Sequence, residues 1–112
     1  MKLTGKDRRK LRSLGHALRP AVMIGREGLT AAVYDAVEKA HNGSELIKLK
    51  ILEPGQVDRK AIAAELNEET RSEVVGMVGG VMLLYRRNRK APEIKLPSEG
   101  NAAESTESNS AS

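Results

Sequence analysis

The loop Gly25-Arg26-Glu27-Gly28 lies between a short apolar run and an amphipathic helix, and no other segment constrains the fold as strongly. Two glycines around two polar residues let the backbone turn tightly and approach a ligand without a Cβ in the way. The helix that follows presents unpaired N–H groups and the positive end of its dipole. We therefore predict a strand–turn–helix unit whose loop can hold a phosphate, with Arg26 at its tip. An ordinary strand-to-helix turn is the alternative.

Helices are predicted around this unit from apolar spacing and capping residues. Leu11, Leu14 and Leu18 repeat at helical spacing, after Thr4 as N-cap and before Pro20 as the stop. In the same way, Thr30 and Asp58 are the predicted N-caps of a second and a third helix.

Strands are predicted from alternation and from short apolar runs. Residues 21–25 indicate a short buried strand, and residues 45–52 alternate so that Lys48 and Lys50 lie on the open face of a half-exposed strand. Gly79-Gly80 separates two further β-rich runs and predicts a hairpin. The order α-β-α-β-α-β-β predicts a compact α/β (α+β) domain, in which a four-stranded mixed sheet packs with three helices.

Composition divides the 112 residues into one domain and a tail. Residues 97–112 are rich in Ser, Glu, Ala and Asn and hold no large apolar side chain, so we predict a disordered tail there and a domain over residues 1–96. All 19 Lys and Arg precede Pro97 together with 12 of the 15 acidic residues, so this domain carries a charge of +7.

The positive charge is concentrated at the two ends of the predicted domain. Residues 1–19 hold seven Lys and Arg against one acid, and residues 86–90 hold four with none. Such surfaces attract polyanions, and no segment has the Trp- and Leu-rich face of a membrane-binding helix, so nucleic acid is the favoured partner. The predicted contacts outside the loop are Lys6, Arg8, Arg9, Arg12, Arg19, Lys48, Lys50 and Arg86. A solvated helix face is the alternative for the first helix.

The residues give little support to catalysis. There is no cysteine, and His16 and His41 are interpreted as capping or packing residues. The glycine loop lacks the Lys-Ser/Thr of a nucleotide-hydrolysing phosphate loop. We predict no catalytic residue, no metal, no cofactor and no small-molecule substrate, and the absence of any long apolar run makes the cytoplasm the expected location.

The scarcity of aromatic residues limits the way in which nucleic acid is bound. Tyr34 and Tyr85 are the only aromatic residues, so the chain lacks the exposed rings on which single-stranded bases stack. Binding through phosphates and shape is predicted instead, which favours a folded target and a steep dependence on salt.

Several motifs in order resemble the CRM domain, in particular the stand-alone bacterial YhbY-like RNA-binding proteins. These are Leu-Thr-x-x-x-Arg-x-x-Leu at 3–11, Leu-Arg-Pro at 18–20 and Val-x-Ile-Gly-x-x-Gly-Leu-Thr at 22–30. The match continues through residues 45–51 to Leu-Tyr-Arg at 84–86 and covers about residues 3–90.

The resemblance implies an RNA-binding domain similar to the C-terminal domain of translation initiation factor 3, acting on precursors of the large ribosomal subunit. It implies RNA contacts at Gly25, Arg26, Glu27 and Gly28 and on the basic first helix. Two residues depart from the family pattern: Glu27 is an acid inside the loop, and Gly80 stands where a Lys or Arg commonly follows the hairpin glycine.

The predicted function is therefore that of a non-enzymatic, monomeric RNA-binding protein that associates with large-subunit rRNA during ribosome assembly. The alternatives are a general structured-RNA binding or chaperone module, a basic protein-interaction module, a nucleotide-dependent enzyme and a binder of duplex DNA.

Overall fold

The fold follows the predicted order of elements. A computed structural model describes residues 2–99. Its elements are α1 (Gly5–Gly15), β1 (Pro20–Ile24), α2 (Ala31–Gly43), β2 (Leu46–Ile51), a 3₁₀ turn (Pro54–Gln56), α3 (Arg59–Thr70), β3 (Glu73–Val78) and β4 (Val81–Tyr85).

The four strands form one mixed sheet in the order β1-β2-β4-β3. β1 runs parallel to β2, whereas β2 and β3 both pair antiparallel with β4. Gly79 and Gly80 make the turn of the predicted hairpin, with Gly79 at a φ of 58°. The predicted fold class is confirmed.

Apolar side chains cover both faces of the sheet, which makes the domain three layers thick. One face packs against α2 and α3 around Leu49, Leu66 and Leu84. The other face packs against α1 through Leu11 and Leu83, and Leu96 from the segment after β4 completes this second cluster. Alternate residues of each central strand thus contribute to different cores.

All three predicted N-caps are confirmed. Thr4 Oγ1 accepts from Asp7 N at 3.1 Å, and Asp7 Oδ2 in turn accepts from Thr4 N at 3.0 Å, which is a capping box. Thr30 and Asp58 cap α2 and α3 through hydrogen bonds of 3.3 Å to Val33 N and 3.1 Å to Lys60 N.

Two predictions about α1 are wrong. The helix ends at Gly15, not at Pro20, because the N–H of His16 donates to Ser13 O at 3.3 Å, three residues back, so the helical hydrogen-bond pattern stops there. Gly15 packs directly on Leu83, since a Cβ added there would lie 2.5 Å from Leu83 Cδ1. Leu14 is not part of the buried stripe, since 41% of it is exposed. The helix buries the stripe of Asp7, Leu11 and Gly15 instead.

The buried strand predicted at residues 21–25 is also corrected. It begins at Pro20 and ends at Ile24, and only Val22 and Ile24 are buried. Met23 lies on the α1 side of the sheet, beyond the helix, and is 56% exposed. β1 is an edge strand that is covered on one face only.

The chain after β4 is bound to the domain by the buried carboxylate of Glu45. Its Oε2 accepts from Asn88 N at 2.7 Å, and its Oε1 accepts from Glu93 N at 3.0 Å and from Ile94 N at 2.7 Å. The predicted tail begins within this region. Its residues 97–99 contact the domain, with Ser98 bonded to Asp7, whereas residues 100–112 lie outside the described residues and their disorder stays a prediction.

Candidate nucleic-acid interface

The Gly25–Gly28 loop connects the end of β1 to the N-cap of α2. Gly28 N donates to Gly25 O at 3.1 Å and closes a tight turn, in which Gly28 adopts a left-handed φ of 73°. A residue with a side chain is strained at this φ, so the backbone itself requires glycine at position 28. Residues 25–27 of the loop are exposed.

Gly25 has no comparable structural reason to be glycine. Its φ is not positive, and a Cβ added there would meet nothing within 4 Å. The fold would therefore accept a side chain at this position. What a side chain at position 25 would obstruct is the approach of an outside molecule to the loop backbone.

The side chain of Arg26, within the loop, has a bonding partner but is not buried. Its Nε donates to Glu53 Oε2 at 3.2 Å, and 84% of its side chain is exposed. Such an exposed pair contributes little to stability, but it leaves the two Nη groups available to a phosphate. Glu27 is exposed at the tip of the turn.

The basic residues of α1 divide into two groups that the sequence did not distinguish. Arg8 and Arg12 reach the edge strand β3, where Arg8 Nη1 donates to Val74 O and Arg12 Nη1 to Val75 O, both at 3.2 Å. Arg8 also pairs with Glu73 at 3.1 Å. These two arginines therefore serve the fold, because they saturate carbonyl groups at the edge of the sheet.

Lys6 and Arg9 form the free cationic part of α1. Both are exposed and line a shallow groove with Thr4 and Ser98. Neither makes an ion pair or a side-chain hydrogen bond within residues 2–99. Arg19 is exposed as well, in the connection that leads into β1.

Lys48 and Lys50 lie on the α1 side of the sheet, as the alternation predicted. Lys50 is exposed and Lys48 is half-buried. Lys50 stands in one cross-strand row with Met23 of β1, Val81 of β4 and Val78 of β3, of which Val78 is 80% exposed. The part of this face that α1 leaves open is thus an apolar strip with a lysine at its centre, next to the glycine loop.

Like Arg8 and Arg12, Arg86 is a predicted contact whose guanidinium is used by the fold. Its Nη1 bonds Glu38 Oε2 at 2.7 Å and Thr70 O at 3.0 Å, and only 19% of its side chain is exposed. The hydrogen bond from Arg86 also lowers the pKa of Glu38. We therefore assign Arg86 to the packing of α2 and α3 against β4.

The hairpin explains the departure at Gly80. A Cβ there would lie 2.7 Å from Ile51 O and 3.2 Å from Pro54 Cγ, so no side chain fits. A cation is nevertheless present, since Arg59 Nη1 from the start of α3 donates to Gly79 O at 2.6 Å. The sequence analysis missed Arg59, because only the tertiary structure places α3 beside this turn.

One of the two histidines caps a helix, and the other is buried and hydrogen-bonded within the fold. His16 is the exposed C-cap of α1. His41 is buried, with Nδ1 3.1 Å from Ser44 O and Nε2 2.9 Å from Ser72 Oγ. Burial lowers the pKa of His41 and outweighs the hydrogen bond to Ser44, which raises it, so the ring is neutral near pH 7. Nδ1 then carries the proton, because the Ser44 carbonyl can only accept.

Two kinds of feature are absent from residues 2–99. These residues contain no cluster of three His, Cys, Asp or Glu side chains able to hold a metal ion. Likewise, none of the helices in this part of the chain is long and apolar enough to cross a membrane.

The domain belongs to the α+β class, and it carries an exposed glycine loop and a cationic helix on its mixed sheet. The family model of the CRS1/YhbY (CRM) domain matches residues 3–86. The chain belongs to this family, as its motifs predicted.

Two relatives of the chain are named as probable RNA-binding proteins. It is 38% identical over 90 residues to "Probable RNA-binding protein PA4753" of Pseudomonas aeruginosa, covering 80% of this chain and 86% of that one. It is 33% identical over 95 residues to "Probable RNA-binding protein YqeI" of Bacillus subtilis, covering 85% of this chain and 99% of that one.

A solved structure shares the fold. The solution structure of the hypothetical protein SAV1595 from Staphylococcus aureus matches with a TM-score of 0.75 and 38% identity, over 86% of this chain and all of that one.

Proposed function

We propose that this protein binds structured RNA through the Gly25–Gly28 loop and the free cations of α1, and that it thereby assists assembly of the large ribosomal subunit. It acts without catalysis, as a cytoplasmic monomer. The observation that carries the RNA contact is Gly25, a glycine that the fold does not need at the base of an exposed loop.

The loop contacts a phosphate in two ways. The backbone of Gly25 admits a phosphate oxygen close to the chain, and the Nη groups of Arg26 supply donors beside it. The free N–H groups at the start of α2 add the positive end of a helix dipole. This arrangement recognises the RNA backbone and not its bases.

Further cations on the α1 side of the sheet extend the contact beyond the loop. Lys50 of β2 is the cross-strand partner of Met23 in β1. Lys6 and Arg9 lie on α1, which covers the same side of the sheet. Each lysine or arginine that neutralises a phosphate releases counterions, so we expect affinity to fall steeply with salt. Shape and charge suit a folded RNA such as rRNA.

Family membership and the names of the relatives support the RNA partner, whereas the role in the large subunit is what the resemblance to the CRM family implies. It predicts that the protein sediments with large-subunit precursors and is released by ribonuclease. A protein that binds RNA but stays at the top of the gradient is a general RNA-binding or chaperone module. Sedimentation that resists ribonuclease indicates a protein-interaction module instead.

Gly25→Asp tests the loop, because it adds a carboxylate where a Cβ meets nothing of the fold. We expect at least a tenfold loss of affinity for a fluorescent RNA stem–loop with an unchanged Tm. Ala64→Asp is the matched control, since it adds the same charge to an exposed position of α3. Equal affinity losses in the two variants would remove the loop from the proposal.

A further inference from the structure

A cavity of about 630 Å³ opens at one end of the sheet, where β2 begins and β4 ends. Since β1 and β2 are parallel and the Gly25–Gly28 loop follows the end of β1, the cavity and the loop lie at opposite ends of the sheet. Its lining has one carboxylate, Glu73, and five cations: Arg71, Arg86, Arg87, Arg89 and Lys90.

Contacts within the fold account for only part of this charge. Arg86 is bonded to Glu38, Arg87 forms an ion pair with Glu99, and Glu73 is paired with Arg8. The remaining cations are Arg71, Arg89 and Lys90, all of them exposed. Their side chains make no ion pair or hydrogen bond within residues 2–99.

A helix dipole favours the cation Arg71 at the end of α3, but it does not explain Arg89 and Lys90. α2 and α3 both end beside the cavity, and helix C-termini favour positive charge. That effect fades beyond the last turn, and Arg86 already donates to Thr70 O. Arg89 and Lys90 belong to the segment after β4, which is not helical.

Arg71 occupies its position at a conformational cost. It is the C-cap of α3, with φ 57° and ψ 27°, and it is the only residue other than glycine with a positive φ in the described part of the chain. Glycine or asparagine is the usual choice in this conformation. The hydrogen bond that ends the helix is made by the Arg71 backbone N–H to Asn67 O, so the side chain is not needed for the cap.

The segment that carries the other two cations is held in place. Glu45 fixes it through Asn88 N, and Asn88 Oδ1 accepts from Lys90 N at 3.0 Å and from Ala91 N at 3.1 Å. Arg89 and Lys90 therefore project from an ordered turn. Cations held in this way lose less entropy on binding an anion.

We propose that this cavity is a second phosphate site, at which Arg71, Arg89 and Lys90 bind the backbone of a further RNA segment. The inference rests on the RNA binding proposed above and adds a second surface to it. Strands of this length separate the two ends of the sheet by roughly 20 Å. RNA that contacts the loop and the cavity together must therefore present two separate stretches of backbone, as a folded RNA does.

The test compares two variants that each lose two positive charges. Arg71→Gln with Arg89→Gln removes two cavity cations, whereas Lys39→Gln with Lys60→Gln removes two exposed lysines from α2 and α3 outside the cavity lining. Affinity for the RNA stem–loop is measured over a range of salt concentrations. We expect the slope of log K against log salt to fall by about two in the cavity variant, roughly one per phosphate contact, and by much less in the control.

The outcomes separate this inference from the function on which it rests. Equal slopes in the cavity variant and the control, with Gly25→Asp still weakening binding, would overturn the second site and leave the loop in place. A wild-type protein that binds no structured RNA would overturn both. Preference of the cavity for an acidic protein over RNA would also reject the phosphate assignment.

The Arg71→Gly variant distinguishes an RNA contact of the Arg71 side chain from a purely structural role, because stability and affinity should change in opposite directions. Glycine relieves the left-handed backbone, so we expect a higher Tm together with a several-fold weaker affinity for RNA. A higher Tm with unchanged affinity would show that Arg71 does not contact RNA. Addition of RNA should also shift the imidazole resonances of His41, which lines the cavity, in the wild type but not in the cavity variant.

Discussion

The buried carboxylate of Asp7 accepts two hydrogen bonds from Ser98, a residue 91 positions further along the chain. Ser98 N lies 3.0 Å from Oδ1, and Ser98 Oγ lies 2.7 Å from Oδ2. The same carboxylate closes the capping box with Thr4. One side chain thus starts the first helix and binds the last described residues to it.

Asp7→Asn should destabilise the domain, because an amide cannot accept all the hydrogen bonds that the carboxylate accepts. Loss of a charge-assisted bond to a buried group costs about 1–3 kcal/mol. Chemical denaturation measures the change, with the exposed Asp35→Asn as the control. An equal loss of unfolding free energy in the two variants would show that the hydrogen bonds of Asp7 contribute no more than an exposed carboxylate does.

Asp7 also makes stability depend on acid. Burial raises the pKa of Asp7, but the hydrogen bonds from Thr4 and Ser98 outweigh it and hold the pKa below 3.8. The contribution is therefore complete above pH 3.8 and is lost as the pH falls through the lower folded pKa. Asp7→Asn should flatten the acid side of the stability curve.

Replacement of the basic residues of α1 should separate binding from folding. Lys6→Gln with Arg9→Gln should reduce the salt slope of RNA binding by up to about two and leave the Tm unchanged. Arg8→Gln with Arg12→Gln should lower the Tm, since it removes donors from Val74 O and Val75 O. If both pairs change only the slope, the contacts of Arg8 and Arg12 with β3 do not contribute to stability.

Gly80→Ala should destabilise the domain by about 1–3 kcal/mol, because its Cβ has to displace either Ile51 O or the hairpin. Gly55→Ala lies in the same region but has open space around it, so it should change stability little. Thermal denaturation of both variants measures the difference. A stable Gly80→Ala protein would mean that the hairpin moves easily.

His41 should make stability depend on pH between neutral and mildly acidic conditions. Burial lowers its folded pKa below the ordinary 6.5, so on acidification the unfolded chain takes up a proton first. Its contribution is complete above pH 6.5 and decreases as the pH falls toward the folded pKa. His41→Gln should flatten this dependence, and the exposed His16→Gln should not. A wild-type Tm that is constant over this range would contradict the assignment.

The sequence predicted what local patterns determine. Thr4, Thr30 and Asp58 cap the helices because a short polar side chain before an apolar periodic run satisfies the first N–H groups. The alternation around Lys48 and Lys50 placed those side chains correctly, since a strand has only two faces.

Packing across the sheet decided the rest. Leu14 has helical spacing with Leu11, but α1 turns Gly15 toward Leu83, which leaves Leu14 in solvent. In the same way, the role of Arg86 depends on Glu38, which is 48 positions away. No local signal identifies such partners, so the division of the cations between fold and interface needed the tertiary structure.

The first helix of the chain, α1, packs against Leu96 and is bonded to Ser98. Its packing is therefore complete only when almost the last of the described residues are in place. During synthesis, α1 leaves the ribosome first and stays without its full partner surface until β3, β4 and the segment behind them have followed. Its buried face is then the part of the nascent chain that stays exposed for longest, because its packing is completed only by the last of these residues.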